Sequence, residues 1–310
     1  MGKIKTAIVG LGNIGIFYDL NNDKSWKVNQ TMSHTKAVME SLHFEIEYLV
    51  DDNIEILNQI KNTFPGITCL PLNEVLSLPE PNLVIISTPT KSHFEVSKKI
   101  SEKWFFCNYL VEKPVGNDSN ECLKILSLLS RQENIVYINY FRRFLPHFHS
   151  LIKLSVFETR GELQRISINA YGTLTNIYSH FLDLVTFFEG REILGLGKKR
   201  FIFKQSGSIS FLDKDTNIYF NFRDIDSSKD ECSMKLEYEN LIINITQNGQ
   251  IINLLKINGT FLDHLDLGRE LFNSYQSFVL DKINLDIKSF SAYTGGLDAI
   301  HVHKFIESLE

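Results

Sequence analysis

The stretch KIKTAIVGLGNIG, residues 3–15, decides the fold. Residues 3–9 end in an apolar run, which predicts a short buried strand. That strand leads directly into GLGNIG at 10–15, which matches the pattern G-x-G-x-x-G. Glycines in this pattern let the backbone turn tightly and approach a pyrophosphate at a helix N-terminus. The stretch therefore predicts dinucleotide binding, and the alternative is a purely structural glycine turn.

The next predicted strand, EIEYLVDD at 45–52, ends in acidic residues. A carboxylate such as Asp51 can bind the ribose hydroxyls of NAD and repels the extra phosphate of NADP. No arginine follows Asp51, so the sequence favours NAD, with NADP possible. The usual distance from the glycine turn is about 20 residues. It is longer here because residues 15–32 form an inserted loop, either a surface insertion or a segment that gates the substrate.

Strands and helices alternate through the first part of the chain, which predicts a parallel sheet covered on both faces. Ligands of such sheets bind outside the carboxyl ends of the strands. The strand predicted at 104–111 runs into Glu112-Lys113-Pro114, so Lys113 is expected in the cofactor crevice. The other predicted elements here are helices at 33–42, 53–64 and 92–103 and a strand at 82–88.

The pattern changes after residue 118. Asn248-Gly249 lies between two β-rich runs within 241–257, which is a hairpin signal. We therefore predict an α/β protein with a doubly wound Rossmann domain at 1–118 and an α/β domain with a largely antiparallel open sheet at 119–310. The remaining predicted elements are helices at 120–133, 175–190 and 296–309 and strands at 134–141 and 216–222.

Polar residues of the predicted helix 175–190 are short and fall along one face. Solvated faces usually carry long Lys, Glu and Arg side chains, and this one has none. The pattern favours a half-buried cleft, although a histidine in it could also be an ordinary core histidine. The stripe consists of Asn176, Ser179, His180, Asp183 and Thr186.

Composition excludes several other classes of function. The 32 basic and 37 acidic residues give a net charge of −5 and form no basic stripe, so a nucleic-acid partner is not expected. No apolar run is long enough to span a bilayer, so no membrane association is expected. The cysteines show no metal-ligand spacing, so we expect no metal and buried thiols in a reducing, cytoplasmic compartment. They are Cys69, Cys107, Cys122 and Cys232.

Several motifs together resemble the glucose–fructose oxidoreductase/inositol dehydrogenase family, Gfo/Idh/MocA. Besides the glycine turn, these are STPTKSH at 87–93, EKP at 112–114 and S-H-x-x-D at 179–183. NYFRRFLP at 139–146 and the final helix fit the same family, so the resemblance covers essentially the whole chain. It implies a Rossmann domain followed by an open-sheet domain, through which a homodimer or homotetramer is expected.

The resemblance also implies an NAD(P)-dependent oxidoreductase. Hydride would move between the nicotinamide and a hydroxyl or keto carbon of a sugar, sugar acid or nucleotide-sugar. Lys113 and His180 take the catalytic positions. The family commonly has aspartate four residues before that histidine, where this sequence has Asn176. Asparagine cannot take up a proton, so proton transfer is expected to depend on Lys113 and His180. Asparagine at this position also resembles family branches that act on sugars of surface polysaccharides, which makes such sugars a candidate substrate class.

The residues expected to bind the cofactor are Gly10, Gly12, Asn13, Ile14, Gly15, Asp51, Thr88, Pro89, His93 and Glu112. The residues expected to bind substrate are Lys113, Arg142, Asn176, His180 and Asp183. Arg142 and Arg143 could bind an anionic substrate, such as a carboxylate or a nucleotide diphosphate, or could form surface or interdomain salt bridges. Two other functions stay open: a non-catalytic, dinucleotide-binding regulatory protein, and a reductase of a non-sugar carbonyl compound.

Overall fold

A computed structural model describes residues 2–21, 25–194, 200–205, 208–213, 218–225, 231–289 and 296–309 of the chain. The chain divides into two compact units. The first comprises Met1–Phe141 and Asn273–Ile300, and the second comprises Arg142–Phe272 and His301–Glu310. The first unit thus extends past residue 118, where the sequence placed the end of the dinucleotide-binding domain.

The first unit is built on six parallel strands. These are β1 (Ile4–Val9), β2 (Phe44–Val50), β3 (Thr68–Leu70), β4 (Leu83–Ile86), β5 (Asn108–Val111) and β6 (Val136–Ile138). Their order in the sheet is β3-β2-β1-β4-β5-β6. The order reverses beside β1, which is the topology of a doubly wound dinucleotide-binding sheet. The predicted fold class is therefore confirmed, and β6 explains why residues after 118 remain in this unit.

Five helices accompany these strands along the chain. They are α1 (His34–Glu40), α2 (Ile54–Thr63), α3 (Leu72–Val75), α4 (Thr90–Ser101) and α5 (Ser119–Leu129). Strand β4 is buried along its whole length, as a parallel strand covered on both faces should be. Strand β5 is shorter than the predicted 104–111. Residues 104–107 precede the ladder, since the pairing with β4 begins at Leu83 opposite Asn108, and the buried Trp104 donates its indole N–H to the Leu78 carbonyl oxygen at 3.3 Å.

A π-helical turn at Asn13–Phe17 leads from the glycine turn into the inserted loop. Two buried charges then organise its described residues. Asp19 is fully buried, and Lys36 on α1 donates to the carbonyl oxygens of Lys27 and Gln30, each at 2.5 Å. Buried charges are costly unless they are paired or hydrogen-bonded. The described residues of the insertion are therefore held against α1 by hydrogen bonds.

The second unit contains an eight-stranded sheet. Its strands are β7 (Leu163–Ala170), β8 (Arg200–Gln205), β9 (Ser208–Asp213), β10 (Ile218–Asp224), β11 (Ser233–Tyr238), β12 (Leu241–Thr246), β13 (Ile251–Lys256) and β14 (Phe261–Asp266). The order is β14-β13-β12-β11-β7-β10-β9-β8, antiparallel except for the parallel pair β7 and β10. Alternate residues such as Ile166 and Ile168 are fully buried, so one face of the sheet forms the core.

The described helices that lie wholly in this unit are α6 (Pro146–Leu151), α7 (Ser155–Glu158), α8 (Ser179–Glu189) and α9 (Arg269–Phe272). The predicted helix 175–190 changes type, since Leu174–Tyr178 is a π-helical turn that leads into α8. The predicted polar stripe is not a solvated face. Its members Ser179, His180, Asp183 and Thr186 are buried, whereas Asn176 is exposed.

The predicted hairpin at Asn248-Gly249 joins β12 to β13. Both residues adopt positive φ, at 59° and 106°, which explains the Asn-Gly pair. Arg142 donates its Nε–H to the Asn248 carbonyl oxygen at 2.8 Å, and His147 Nε2 lies 2.8 Å from the Gly249 carbonyl oxygen. Burial lowers the pKa of His147 to about 4, so this ring is neutral at physiological pH. The hydrogen bond from Arg142 thus stabilises the hairpin turn.

The last two helices are α10 (Tyr275–Ser289) and α11 (Gly296–Glu307). Helix α10 lies in the first unit, where it contacts α1. Helix α11 spans the division, with Ala299 and Ile300 in the apolar core of the first unit. Over the described residues, the helices do not combine the length and apolarity that crossing a membrane requires.

Arg143 and Asp183 form a buried ion pair in the second unit, and we expect its loss to destabilise the protein strongly. Arg143 Nε donates to Asp183 Oδ2 at 2.6 Å, and Nη2 donates to Oδ1. Asp183→Ala removes the carboxylate that compensates a buried guanidinium. The expected loss in unfolding free energy is about 3–5 kcal/mol, measured by urea denaturation.

The control is the partly exposed Glu237, whose carboxylate pairs with Arg165 at 3.5 Å and with Lys235 at 2.8 Å. Glu237→Ala should cost about 1 kcal/mol or less. Equal effects of the two substitutions would contradict the structural importance of the buried pair.

Candidate active site

The register of the parallel sheet brings the ends of four strands into one row. Val9 is opposite both Val50 and Ile86, and Ile86 is opposite Val111. The next residue of each strand therefore lies at the same edge of the sheet. These residues are Gly10, Asp51, Ser87 and Glu112. The sequence-predicted cofactor edge is thus formed by segments from four separate parts of the chain.

A pocket of about 660 Å³ opens along this edge, entirely within the first unit. Its size lies within the usual range for ligand sites, roughly 300–1,000 Å³. Most of the predicted cofactor-binding residues line it, namely Gly10, Gly12, Asn13, Ile14, Asp51, Thr88, Pro89 and Glu112, together with Lys113. Gly15 and His93 lie behind this lining.

The three glycines of the turn serve different purposes. A Cβ atom on Gly10 would lie 2.6 Å from the Thr88 backbone nitrogen, and one on Gly15 would lie 2.1 Å from the Gly10 carbonyl oxygen. Both glycines are therefore required by the fold. A Cβ on Gly12 would meet no protein atom within 4 Å. Gly12 faces the pocket, so the space beside it suits a group that approaches the backbone closely, as a pyrophosphate does.

Asp51 connects the second strand to the glycine turn. Its Oδ2 accepts the Leu11 N–H at 2.8 Å, and its Oδ1 accepts the Asn53 N–H at 2.8 Å. Each carboxylate oxygen has two lone pairs, so acceptor capacity remains for ribose hydroxyls. The neighbouring Asp52 accepts the Leu72 N–H at 3.0 Å and therefore orients α3. Of the two acids, Asp51 is the one attached to the turn.

His93 lies beneath the pocket. Its Nε2 is 2.8 Å from the Thr88 carbonyl oxygen, and its Nδ1 is 3.0 Å from the Val115 carbonyl oxygen. The ring is 1% exposed. It thus joins the segments that follow β4 and β5, and any direct cofactor contact by His93 stays a prediction. Ser87 has a similar supporting place, since its hydroxyl donates to the Gly10 carbonyl oxygen at 2.8 Å.

The side chain of Glu112 is buried at the pocket wall, directly before Lys113 in the chain. Its Oε1 accepts hydrogen bonds from His34 Nε2 at 2.8 Å and Asn139 Nδ2 at 2.5 Å. Burial alone would raise the pKa of Glu112, but these hydrogen bonds and the charges of His34 and Lys113 outweigh burial and lower it. The carboxylate is therefore ionised. His34 and Asn139 were missed at the sequence level because they lie 78 and 27 residues from Glu112.

Tyr18 also lines the pocket and was missed, because the sequence placed it in the insertion. It lies four residues after Ile14, and residues at that spacing share a helical face. That spacing was the available signal. Burial raises the pKa of Tyr275, and the neighbouring groups Glu112, Tyr18 and Asp19 raise it further. Tyr18 and Glu112 therefore belong to one neighbourhood.

The other predicted site residues lie in the second unit. His180 is buried on α8, one turn before the Asp183 that pairs with Arg143. Arg142 binds the hairpin carbonyl and stacks on Phe181, with 4.8 Å from its guanidinium carbon to the ring centroid. Substrate binding by these residues stays a prediction. Among the described residues, no group of three or more His, Cys, Asp and Glu has the arrangement of a metal site.

Residues 4–140 match the family model GFO_IDH_MocA, described as an oxidoreductase family with an NAD-binding Rossmann fold. This confirms the resemblance for that part of the chain and the prediction of a nicotinamide dinucleotide as cofactor. Residues 4–140 are thus similar to the NAD-binding Rossmann domain of the Gfo/Idh/MocA oxidoreductases. A search of curated proteins gave no significant match.

Solved structures similar to the whole chain include UDP-N-acetylglucosamine 3-dehydrogenase GnnA from Acidithiobacillus ferrooxidans, at 14% identity and a TM-score of 0.73, covering 100% of this chain and 97% of that one. The structure of the WlbA dehydrogenase from Bordetella pertussis, in complex with NADH and UDP-GlcNAcA, is 12% identical with a TM-score of 0.74. The match covers 99% of this chain and 94% of that one. An oxidoreductase from Agrobacterium radiobacter, in complex with NAD+, L-tartaric acid and magnesium, is 14% identical with a TM-score of 0.71. The match covers 99% of this chain and 95% of that one. At these identities the similarity establishes the fold alone.

Gly12 and Gly15 provide a direct test of the cofactor site. Gly12→Val should leave the melting temperature nearly unchanged, because its side chain enters open space, but it should weaken NAD binding by about tenfold or more. Gly15→Ala should destabilise the first unit because of the backbone clash. Calorimetric titration and thermal unfolding measure the two effects. Undiminished NAD binding by a folded Gly12→Val variant would contradict the proposed position of the pyrophosphate.

Asp51→Asn should weaken NAD binding by about 10–100-fold, since a hydrogen bond to a charged group contributes about 1.5–3 kcal/mol. NADP affinity should fall less, because the repulsion of the extra phosphate is removed as well. Titration of both cofactors measures the change in their ratio. Glu55→Gln, at an exposed position on α2, is the control and should leave both affinities unchanged.

Proposed function

We propose that the protein is an NAD(P)-dependent oxidoreductase that acts on a hydroxyl or keto carbon of a sugar, sugar acid or nucleotide-sugar. The observation that carries this proposal is the common edge of the sheet, where the glycine turn, Asp51 and Lys113 line one pocket. The family match of residues 4–140 supports an oxidoreductase. Two similar structures are described as a UDP-N-acetylglucosamine 3-dehydrogenase and as a dehydrogenase bound to UDP-GlcNAcA, which supports a nucleotide-sugar.

A bound nicotinamide ring would supply or accept the hydride, and the protein must handle the hydroxyl proton of the same carbon. Lys113 is proposed as one acid–base group. The ionised Glu112 before it favours the ammonium form, since an opposite charge stabilises a charged neighbour. An ammonium group suits hydrogen bonding to the substrate oxygen and donation of a proton to it during reduction.

His180 is proposed as the second acid–base group. Imidazole has an ordinary pKa of about 6.5, so it exchanges protons readily near neutral pH. Asn176 cannot take up a proton, which leaves this task to His180 and Lys113. The roles of Arg142, Asn176 and Asp183 in substrate binding are part of the same proposal.

We further propose a homodimer or homotetramer formed through the sheet of the second unit, in the cytoplasm. Strand β14 at one edge of that sheet exposes Phe261 and Leu262, which supports an interface there. The four cysteines are buried free thiols, which suits a reducing compartment. Sedimentation of the purified protein measures the oligomeric state, and a strict monomer would contradict the interface.

Lys113→Ala and His180→Ala should each lower turnover by about 10²–10⁴-fold, the usual contribution of an acid–base group. The assay follows nicotinamide absorbance with NAD and NADP against polyols, free sugars, sugar acids and nucleotide-sugars. Lys99→Ala, at an exposed position on α4, is the matched control and should retain full activity.

The outcomes separate the remaining interpretations. Turnover of only a non-sugar carbonyl compound would support the alternative reductase. Tight NAD binding without turnover of any compound would favour a regulatory dinucleotide-binding protein. Full activity of Lys113→Ala on the identified substrate would overturn the assigned role of the lysine.

A further inference from the structure

We propose that His34 is a positioning residue, through which the insertion after the glycine turn fixes the Glu112 carboxylate beside Lys113. The inference rests on the proposed acid–base role of Lys113. It assigns a purpose to the inserted loop, which the sequence left as either a surface insertion or a gate for the substrate. It also names a residue outside the pocket lining that acts on the site.

The first link in this arrangement is the buried carboxylate of Asp19. Its Oδ2 accepts the Met32 N–H at 2.8 Å, the Ser33 N–H at 2.6 Å and the Ser33 hydroxyl at 2.7 Å. Its Oδ1 accepts the amide N–H of Gln30 at 2.8 Å. Four donors on one buried carboxylate fix the two residues that precede α1. The position of the first residue of α1 is therefore set by the insertion.

The second link is α1 itself, whose first two residues both reach the pocket edge. His34 Nε2 lies 2.8 Å from Glu112 Oε1, and the Thr35 hydroxyl donates to the Gly15 carbonyl oxygen at 2.7 Å. One short helix thus contacts both the strand end that carries Lys113 and the glycine turn. A displacement of α1 would move the two together.

The third link is the carboxylate of Glu112. Its Oε1 is held by His34 from α1 and by Asn139 after β6, and its Oε2 lies 3.3 Å from the Lys113 backbone nitrogen. Because the two donors approach from different directions, they fix the orientation of the carboxylate. The charge beside the lysine is therefore fixed in space as well as in sign.

The charge of Glu112 depends on its surroundings. The titratable groups that face it are His34 from α1, Lys113 at the end of β5 and Tyr275 from α10, and the neutral Asn139 completes the set. Burial favours the protonated acid, and the His34 hydrogen bond is the largest opposing influence. Removal of His34 should therefore raise the pKa of Glu112, so that the group takes up a proton at a higher pH.

A purely structural role for His34 fits the burial less well. The ring is 1% exposed, and among the described residues its Nδ1 has no hydrogen-bond partner. An unpaired buried polar atom costs about 1–3 kcal/mol. An apolar side chain of similar size would avoid that cost. The ring gains only through Nε2, and its partner there is Glu112.

The test compares His34→Leu, which removes the donor, with His34→Gln, which supplies an amide N–H in its place. His34→Leu should lower kcat by about tenfold to a hundredfold, because small misplacements of an acid–base group have effects of that size. The Kd for NAD should stay within about twofold, since His34 does not line the pocket. The acidic limb of the kcat/KM profile should move to higher pH, and His34→Gln should restore most of the loss.

Glu40→Gln is the control on the same helix. Glu40 also binds the insertion, accepting the Thr31 hydroxyl at 2.8 Å, but it is not among the partners of Glu112. It should leave kcat and the pH profile unchanged. If His34→Leu does not fold, His34→Asn replaces it, because its shorter amide cannot reach Glu112. An unmoved acidic limb in a folded variant would overturn the proposal.

A second readout needs no substrate. Infrared difference spectra between the wild type and Glu112→Gln identify the carboxylate band of Glu112, whose titration is then followed in the His34 variants. An upward shift of the titration supports the proposal, and an unchanged titration overturns it. If no substrate is turned over by the wild type, the proposed function fails on its own, while this titration still decides the role of His34.

Discussion

The register of the parallel sheet is the constraint on which the site depends. Because the last residues of β1, β2, β4 and β5 lie opposite one another, four chain segments leave the sheet at the same edge. Gly10 and Gly15 pack so closely against neighbouring backbone that larger residues cannot replace them. A shift of one residue in any of these pairs would move Asp51 or Glu112 away from the pocket. The chemistry of the site thus follows from backbone pairing before any side chain contributes.

The charged groups around this edge are buried, and each is compensated locally. Asp19 is surrounded by N–H and O–H donors, Lys36 by carbonyl oxygens, and Glu112 by His34 and Asn139. Such groups add little net stability, since desolvation offsets most of the gain from pairing. Their value is in orientation, because a satisfied buried network allows only one arrangement of its members.

The sequence revealed what is local and periodic. Apolar strands, the glycine turn and the Asn248-Gly249 hairpin all depend on neighbouring residues, and each was located from the sequence. It could not reveal that α10, from residue 275 onward, returns to the first unit, because that packing joins distant parts of the chain. The contact of His34 with Glu112 was hidden for the same reason. Strand β5 is shorter than predicted because its pairing with β4 begins only at Asn108, and the start of the neighbouring strand cannot be seen in the apolar run 104–111 itself.

Asn176 and Asp183 lie in different surroundings on the same segment of the chain. In the sequence Asn176 belongs to one polar stripe with His180 and Asp183, but the helix changes from π to α geometry between them. Asn176 is exposed on the π-helical turn, whereas Asp183 is fully buried against Arg143. A change from aspartate to asparagine at an exposed position costs the fold little, but the same change at Asp183 would disturb a buried ion pair. Position 176 can therefore carry either side chain without disturbing the packing of α8.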